Sequence, residues 1–160
     1  MKRTLMRMFA AALPLAAAAL LSGCSIVCEF IVVNKSDAPL EVRYTHKPSA
    51  MPPNAPPAVP GVLSADKVNN TGREWRNVPP ERYTIDYKTG HVWVKVLPGE
   101  AVLVAQMMNY PGHDSQYSDA SFQIDSLSLE GARGSAKFQG RQAMTQFLNA
   151  RGGTFVITYR

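Results

Sequence analysis

Tyr83-Thr84-Ile85-Asp86-Tyr87-Lys88-Thr89-Gly90-His91-Val92-Trp93-Val94-Lys95-Val96-Leu97-Pro98-Gly99-Glu100-Ala101-Val102-Leu103-Val104-Ala105-Gln106-Met107 is the stretch whose pattern decides the fold class. Tyr83, Ile85 and Tyr87 alternate with Thr84 and Asp86, and Val92, Val94 and Val96 alternate with His91, Trp93 and Lys95. A repeat of two sends successive side chains to opposite faces of an extended chain, so these runs read as strands. Lys88-Thr89-Gly90 and Pro98-Gly99 have the chemistry of turns. The stretch therefore predicts a three-strand meander, in which a two-residue turn at Pro98-Gly99 sets Val94 opposite Leu103 and Trp93 opposite Val104. A slip of one residue exchanges the faces but leaves apolar side chains on both. Such a sheet is covered twice or offers one face to something else.

The same period extends in both directions. Cys28-Glu29-Phe30-Ile31-Val32-Val33 reads as a strand, Asn34 to Pro39 as a turn, and Leu40, Val42 and Tyr44 alternate with Glu41, Arg43 and Thr45, which together predict a hairpin whose second strand is wet on one face. Pro48 to Pro60 holds six of the 12 prolines, so neither strand nor helix runs through it. It reads as a solvated Pro-rich loop, with a polyproline ligand for a partner as the alternative. Tyr110 to Ser115 is a loop by composition. Phe122 and Ile124 share one phase and Leu127 and Leu129 the other, which predicts a β-bulge near Asp125-Ser126. From Arg141 to Ala150, Ala143, Met144, Phe147 and Leu148 fall on one side of a short helix ended by Gly152-Gly153, and Phe155, Ile157 and Tyr159 form a closing strand. Eight or so short strands and one C-terminal helix predict an all-β fold, an antiparallel β-sandwich, with a small β-barrel as the alternative.

The beginning of the chain obeys other rules. Lys2, Arg3 and Arg7 precede an apolar run from Met8 to Leu21, broken only by Pro14, which has the form of a secretory signal and is too short for a permanent bilayer span. Leu21-Ser22-Gly23-Cys24 then resembles the lipobox of bacterial lipoproteins. The resemblance covers about 24 residues and implies a signal peptide, residues 1–23, cleaved so that Cys24 becomes the lipidated first residue. It implies a membrane partner and, with Ser25 following the cysteine, the outer membrane, with the protein on its periplasmic face. Several acyl chains, each methylene adding about 0.8 kcal/mol, make such attachment effectively permanent. The covalent lipid on Cys24 is the only non-protein group expected, with no cofactor. Cys28 is then the remaining thiol, and its apolar strand predicts burial, with intermolecular pairing as the alternative.

Residues 24–160 form a single expected domain. Of the 17 Lys+Arg in the whole chain, three belong to the leader, leaving 14 against 12 Asp+Glu. That near balance lacks the basic surface required to neutralise phosphates, so nucleic acid is not an expected partner. His46, His91 and His113 stand far apart and no close-spaced ligand motif predicts a metal. His113-Asp114-Ser115 cannot be a triad, because sequence neighbours cannot take the mutual positions required. No nucleophile elbow, P-loop or dinucleotide fingerprint occurs. Recognition has better material: His91, Trp93 and Lys95 share one strand face, and Tyr110 and His113 supply loop groups. Trp75 and the Met107-Met108 run read as core. The expectation is a non-enzymatic binding or adaptor module working with an envelope protein. The alternatives are a small envelope hydrolase or cell-wall-fragment binder, and an inhibitor of a foreign enzyme acting through a loop such as 48–60 or 110–119.

Overall fold

The computed structural model describes residues 26–47, 59–70, 72–109 and 122–160. In chain order the strands are β1 (Ile26–Asn34), β2 (Leu40–His46), β3 (Gly61–Ser64), β4 (Arg76–Asn77), β5 (Tyr83–Asp86), β6 (His91–Val96), β7 (Glu100–Asn109), β8 (Ile124–Gly131), β9 (Gly134–Gln139), β10 (Leu148–Arg151) and β11 (Thr154–Tyr159), with one short helix, α1 (Arg141–Thr145), after β9. They form two sheets, β10-β11-β1-β7-β3-β4 and β5-β6-β2-β8-β9, each with free edges and neither closed on itself. The fold is a β-sandwich, not the barrel alternative. Every pairing is antiparallel except β1 with β11, which run parallel from Glu29↔Thr154 to Asn34↔Tyr159. Among the described residues no helix is long and apolar enough to cross a membrane.

The alternation read from sequence decides what is buried. Val92, Val94 and Val96, with Leu40, Val42 and Tyr44, point inward from the five-stranded sheet and meet Cys28, Phe30, Val32, Val102 and Val104 from the other. Phe30 centres an aromatic group, its ring 5.0 Å from Phe122, 5.3 Å from Phe147 and 5.1 Å from Phe155. Cys28 is buried, as its context predicts. The bulge also stands where expected: Thr45 pairs with Ser126 and His46 with Ile124, leaving Asp125 as the extra residue, so Ile124 and Leu127 both point into the core.

Both predicted hairpins with β1 and β7 are instead crossings between sheets. β1 and β2 share no ladder, because the segment after Asn34 carries the chain from one sheet to the other. The Pro98-Gly99 turn does the same between β6 and β7, so Val94 pairs with Val42 and Tyr83, while Leu103 pairs with Ile31 and Gly61. Asn34, fully buried, joins the two crossings. Its Nδ2 donates to the carbonyls of Ala38 (2.9 Å) and Val96 (3.0 Å), and its Oδ1 accepts from the backbone N–H (3.0 Å) and Oγ (2.7 Å) of Ser36. Its own carbonyl accepts from Gly99 N–H at 2.9 Å. Nearby, Glu100 accepts from Arg82 Nη1 (2.7 Å) and from the Leu97 N–H (3.0 Å), bracing the second crossing.

The helix predicted over 141–150 is shorter than its pattern. It stops at Thr145, Ala143 and Phe147 enter the core, and Leu148 begins β10 with 72% of its surface exposed. Gly152 and Gly153, with φ of 51° and 84°, form the turn of the β10–β11 hairpin instead of ending a helix. Pairing along β11 outweighs the helical period of an edge segment that buries little. Tyr159, the ladder partner of Asn34, ties the two sheets at the same end as that residue. Its hydroxyl accepts from the Arg133 N–H and donates to the Gly134 carbonyl, both at 3.0 Å, over Gly131, where a Cβ would come within 2.6 Å of that oxygen.

Replacing Asn34 with alanine orphans several buried groups at once, each worth roughly 1–3 kcal/mol, so Asn34→Ala is expected to lower unfolding free energy by about 3 kcal/mol. Ser36→Ala, which leaves the Val96 and Gly99 bonds intact, is expected to cost about 1 kcal/mol. Urea unfolding followed by tryptophan fluorescence measures both; equal losses would remove Asn34 as the joint of the two crossings.

Candidate functional site

The strand phase that buries Val92, Val94 and Val96 turns His91, Trp93 and Lys95 outward, and all three stand on the outer face of the five-stranded sheet as the sequence predicts. Register supplies their neighbours. Thr84, Trp93, Arg43, Ser128 and Lys137 form one row across five strands; Asp86, His91, Thr45, Ser126 and Gln139 form the next. On the other side of Trp93 lie Lys95, Glu41, Glu130 and Ser135. The face is polar, with the half-buried Trp93 as its large aromatic group.

Trp93 is held, not loose. Its Nε1 donates to Glu41 Oε2 at 3.1 Å, and Arg43 Nη2 donates to the same oxygen at 2.8 Å while lying 3.3 Å from Glu130 Oε2. The indole bond, then the guanidinium bond, hold the Glu41 carboxyl below its ordinary pKa. His91 Nδ1 lies 3.1 Å from Thr45 Oγ1, which in turn accepts from Ser126 Oγ at 3.0 Å. The face thus presents an aromatic ring of fixed orientation among paired charges and hydroxyl groups, an arrangement suited to stacking and hydrogen bonding. Tyr110 and His113, the loop residues expected to complete this surface, lie outside the described residues, as do Cys24 and segments 48–58 and 110–119. Glu41, Arg43 and Thr84 were not singled out from sequence. The wet phase of β2 was legible, but only the register shows that it lies beside Trp93.

Trp75 is half-buried and is not the sandwich-core residue expected. It packs not between the sheets but on the outer side of the six-stranded sheet, against Gly61 and a second cluster of Ile31, Val33, Leu63, Val68 and Ala101. Its Nε1 donates to Glu29 Oε1 at 3.2 Å, and Gln106 Nε2 donates to the same oxygen at 3.1 Å. Arg73 pairs with Glu29 Oε2 and donates to Thr154 Oγ1 at 2.9 Å and to the Val68 carbonyl. This largely buried ion pair fastens the segment from Ala65 to Trp75 over the sheet. That sheet is the one covered on both faces, as the apolar character of residues 101–107 requires.

Open grooves of about 480 and 370 Å³ flank that segment. The larger is lined by Leu63, Lys67 and Arg76, the smaller by Val27, Arg151 and Thr154, and both by Asn70 and Arg73. Neither is lined by a histidine. Among the described residues no three metal-ligating side chains stand together. His46 is partly buried with its ring 5.4 Å from that of Tyr44, and burial lowers its pKa. Comparison with protein-family models, with curated proteins and with solved structures finds no match, so the function rests on this geometry and on the sequence.

Trp93→Phe keeps an aromatic ring and removes the N–H, so the Glu41 pKa is expected to rise toward its ordinary value. Carboxyl NMR titration reads this directly; an unchanged Glu41 would show that the indole does not hold it. For His46 the folded pKa lies below the unfolded value of about 6.5, so the unfolded chain binds the extra proton. Stability is expected to be unaffected by this group above about pH 6.5 and to fall as pH drops from there toward the depressed folded value. His46→Gln should flatten that part of the pH–stability profile in urea unfolding.

Proposed function

We propose that the protein is a lipid-anchored lipoprotein of the outer membrane, facing the periplasm, which acts without catalysis by binding an envelope protein. The observation that carries the binding role is Trp93, fixed by Glu41 on the outer face of the five-stranded sheet. Trp presents a large area with little entropy to lose, and the surrounding charged and hydroxyl groups form a polar rim. Arg43, Lys95 and Glu130 supply charges of both signs, which sets orientation and selectivity more than raw affinity. The anchor reading is supported by the leader and the lipobox at Leu21-Ser22-Gly23-Cys24. Confinement to a membrane raises the effective concentration of the domain for other membrane-held proteins, so a modest interface suffices. Tyr110 and His113 are the proposed loop contribution to the same surface.

The grooves beside Arg73 are open, and the Trp93 face brings aromatic and ion-paired groups together; both observations favour a binder over the hydrolase alternative. The test has two parts. Labelling with radioactive palmitate should mark the wild-type chain and not Cys24→Ala; label on the variant would remove the anchor. Crosslinking in intact envelopes should yield an adduct that Trp93→Ala loses while its unfolding midpoint holds, and an undiminished adduct would move the binding surface elsewhere.

A further inference from the structure

The smaller groove, of about 370 Å³, lies where the chain enters the fold. β1 begins at Ile26, and Val27, 45% exposed, forms the groove's apolar edge. Parallel pairing sets Glu29 opposite Thr154, and Thr154 pairs with Arg151 across the β10–β11 hairpin, so the turn at Gly152 stands beside the start of β1. The segment carrying Asn69, Asn70 and Arg73 closes the other side.

The donors in this groove divide into two sets. Arg73 is engaged, by Glu29, by Thr154 Oγ1 and by the Val68 carbonyl, and its charge is balanced by the Glu29 carboxylate. Arg151 is exposed, and among the described residues it has no carboxylate partner. Among the described residues the groove therefore carries one positive charge without a carboxylate partner, with Asn69 and Asn70 also in its lining. A phosphodiester bears a single negative charge with oxygen acceptors, which matches that set one to one, and Arg is the side chain best suited to phosphate oxygens.

Position selects the source of the phosphate. If Cys24 holds the lipid, Val27 is three residues further on, and three extended residues reach at most about 11 Å. The polar layer of one leaflet is roughly 5–8 Å deep. On the anchor reading the groove mouth lies within reach of the headgroups, with the exposed Val27 at its edge. We propose that this groove binds the phosphodiester headgroup of an anionic phospholipid of the membrane in which the protein is anchored, with Arg151 as the charged contact. The proposal rests on the lipid-anchor reading for its location, and it would fix the tilt of the sandwich on the bilayer.

The experiment uses the acylated protein in neutral detergent, titrated separately with dihexanoyl phosphatidylglycerol, dihexanoyl phosphatidylcholine and sodium phosphate. Hydrogen exchange of residues 151–154, 69, 70, 72 and 73 is the readout. Phosphatidylglycerol should protect these amides saturably and better than phosphatidylcholine, with Arg151→Glu weakening it at least about tenfold, the loss of one charge-assisted contact, and Arg151→Lys retaining part of it. Protection equal in Arg151→Glu, or absent, overturns the proposal; equal protection by inorganic phosphate overturns the lipid source. Flotation of the same protein with phosphatidylcholine liposomes in high salt reads the anchor alone. Failure to float with headgroup protection intact would sink the anchor and leave the groove, whereas flotation without protection would do the reverse.

Discussion

A buried side-chain amide governs the way this chain is divided between two sheets. Asn34 ends β1, and from that position it hydrogen-bonds the segment that crosses to β2 and the last carbonyl of β6, while its backbone accepts from the turn that crosses back into β7. Burying an amide without partners costs several times the net value of one hydrogen bond, so the arrangement is stable only when both crossings are formed together. Neither crossing closes a local hairpin; each becomes favourable only when the opposite sheet is in place. The sandwich is held at this point by cooperation between segments more than sixty residues apart.

The two sheets solve different problems. The five-stranded sheet is apolar inside and polar outside, an ordinary outcome of strict alternation. The six-stranded sheet is apolar on both faces through β1 and β7, and the outer side, where Ile31, Val33 and Leu103 lie, demands a cover. The cover is irregular chain, and irregular chain carries polar backbone. The Glu29–Arg73 pair, with Trp75 and Gln106, satisfies the cluster that seals this cover against the sheet. A pair of this kind gives little net stability, yet loss of one partner leaves a charge without compensation in a largely buried site. Its value lies in fixing one position for a segment that apolar contacts alone would leave free to slide.

The all-β class, the faces of β2, β6 and β11 and the bulge at Asp125 were legible because side-chain period is a local property, set by residues two apart. The partner of each strand was not. Phe30-Ile31-Val32-Val33 followed by Leu40, Val42 and Tyr44 has the same pattern whether the strands join edge to edge or face each other across a core, and the same holds for Val92 to Met107. The clue that separates these cases is Asn34-Lys35-Ser36, an Asx-turn sequence that pins a crossing, and its meaning depends on a burial that no local pattern reports. Likewise His91, Trp93 and Lys95 were legible as a set, but Glu41 and Arg43, which hold and flank Trp93, join them only through register. The end of α1 was missed for a similar reason: residues 146–150 have a helical period, but the edge of β11 offers them a ladder.

The parallel pairing of β1 with β11 has a consequence for biogenesis. Residue 29 meets residue 154, so the middle position of the six-stranded sheet stays empty on one side until almost all of the described chain has been synthesised. A polypeptide made amino end first keeps β1 without this neighbour throughout its synthesis, and pairing so remote in sequence is slow to form. Delayed closure of this kind leaves one edge of β1 open to another strand until the carboxyl-terminal strand arrives.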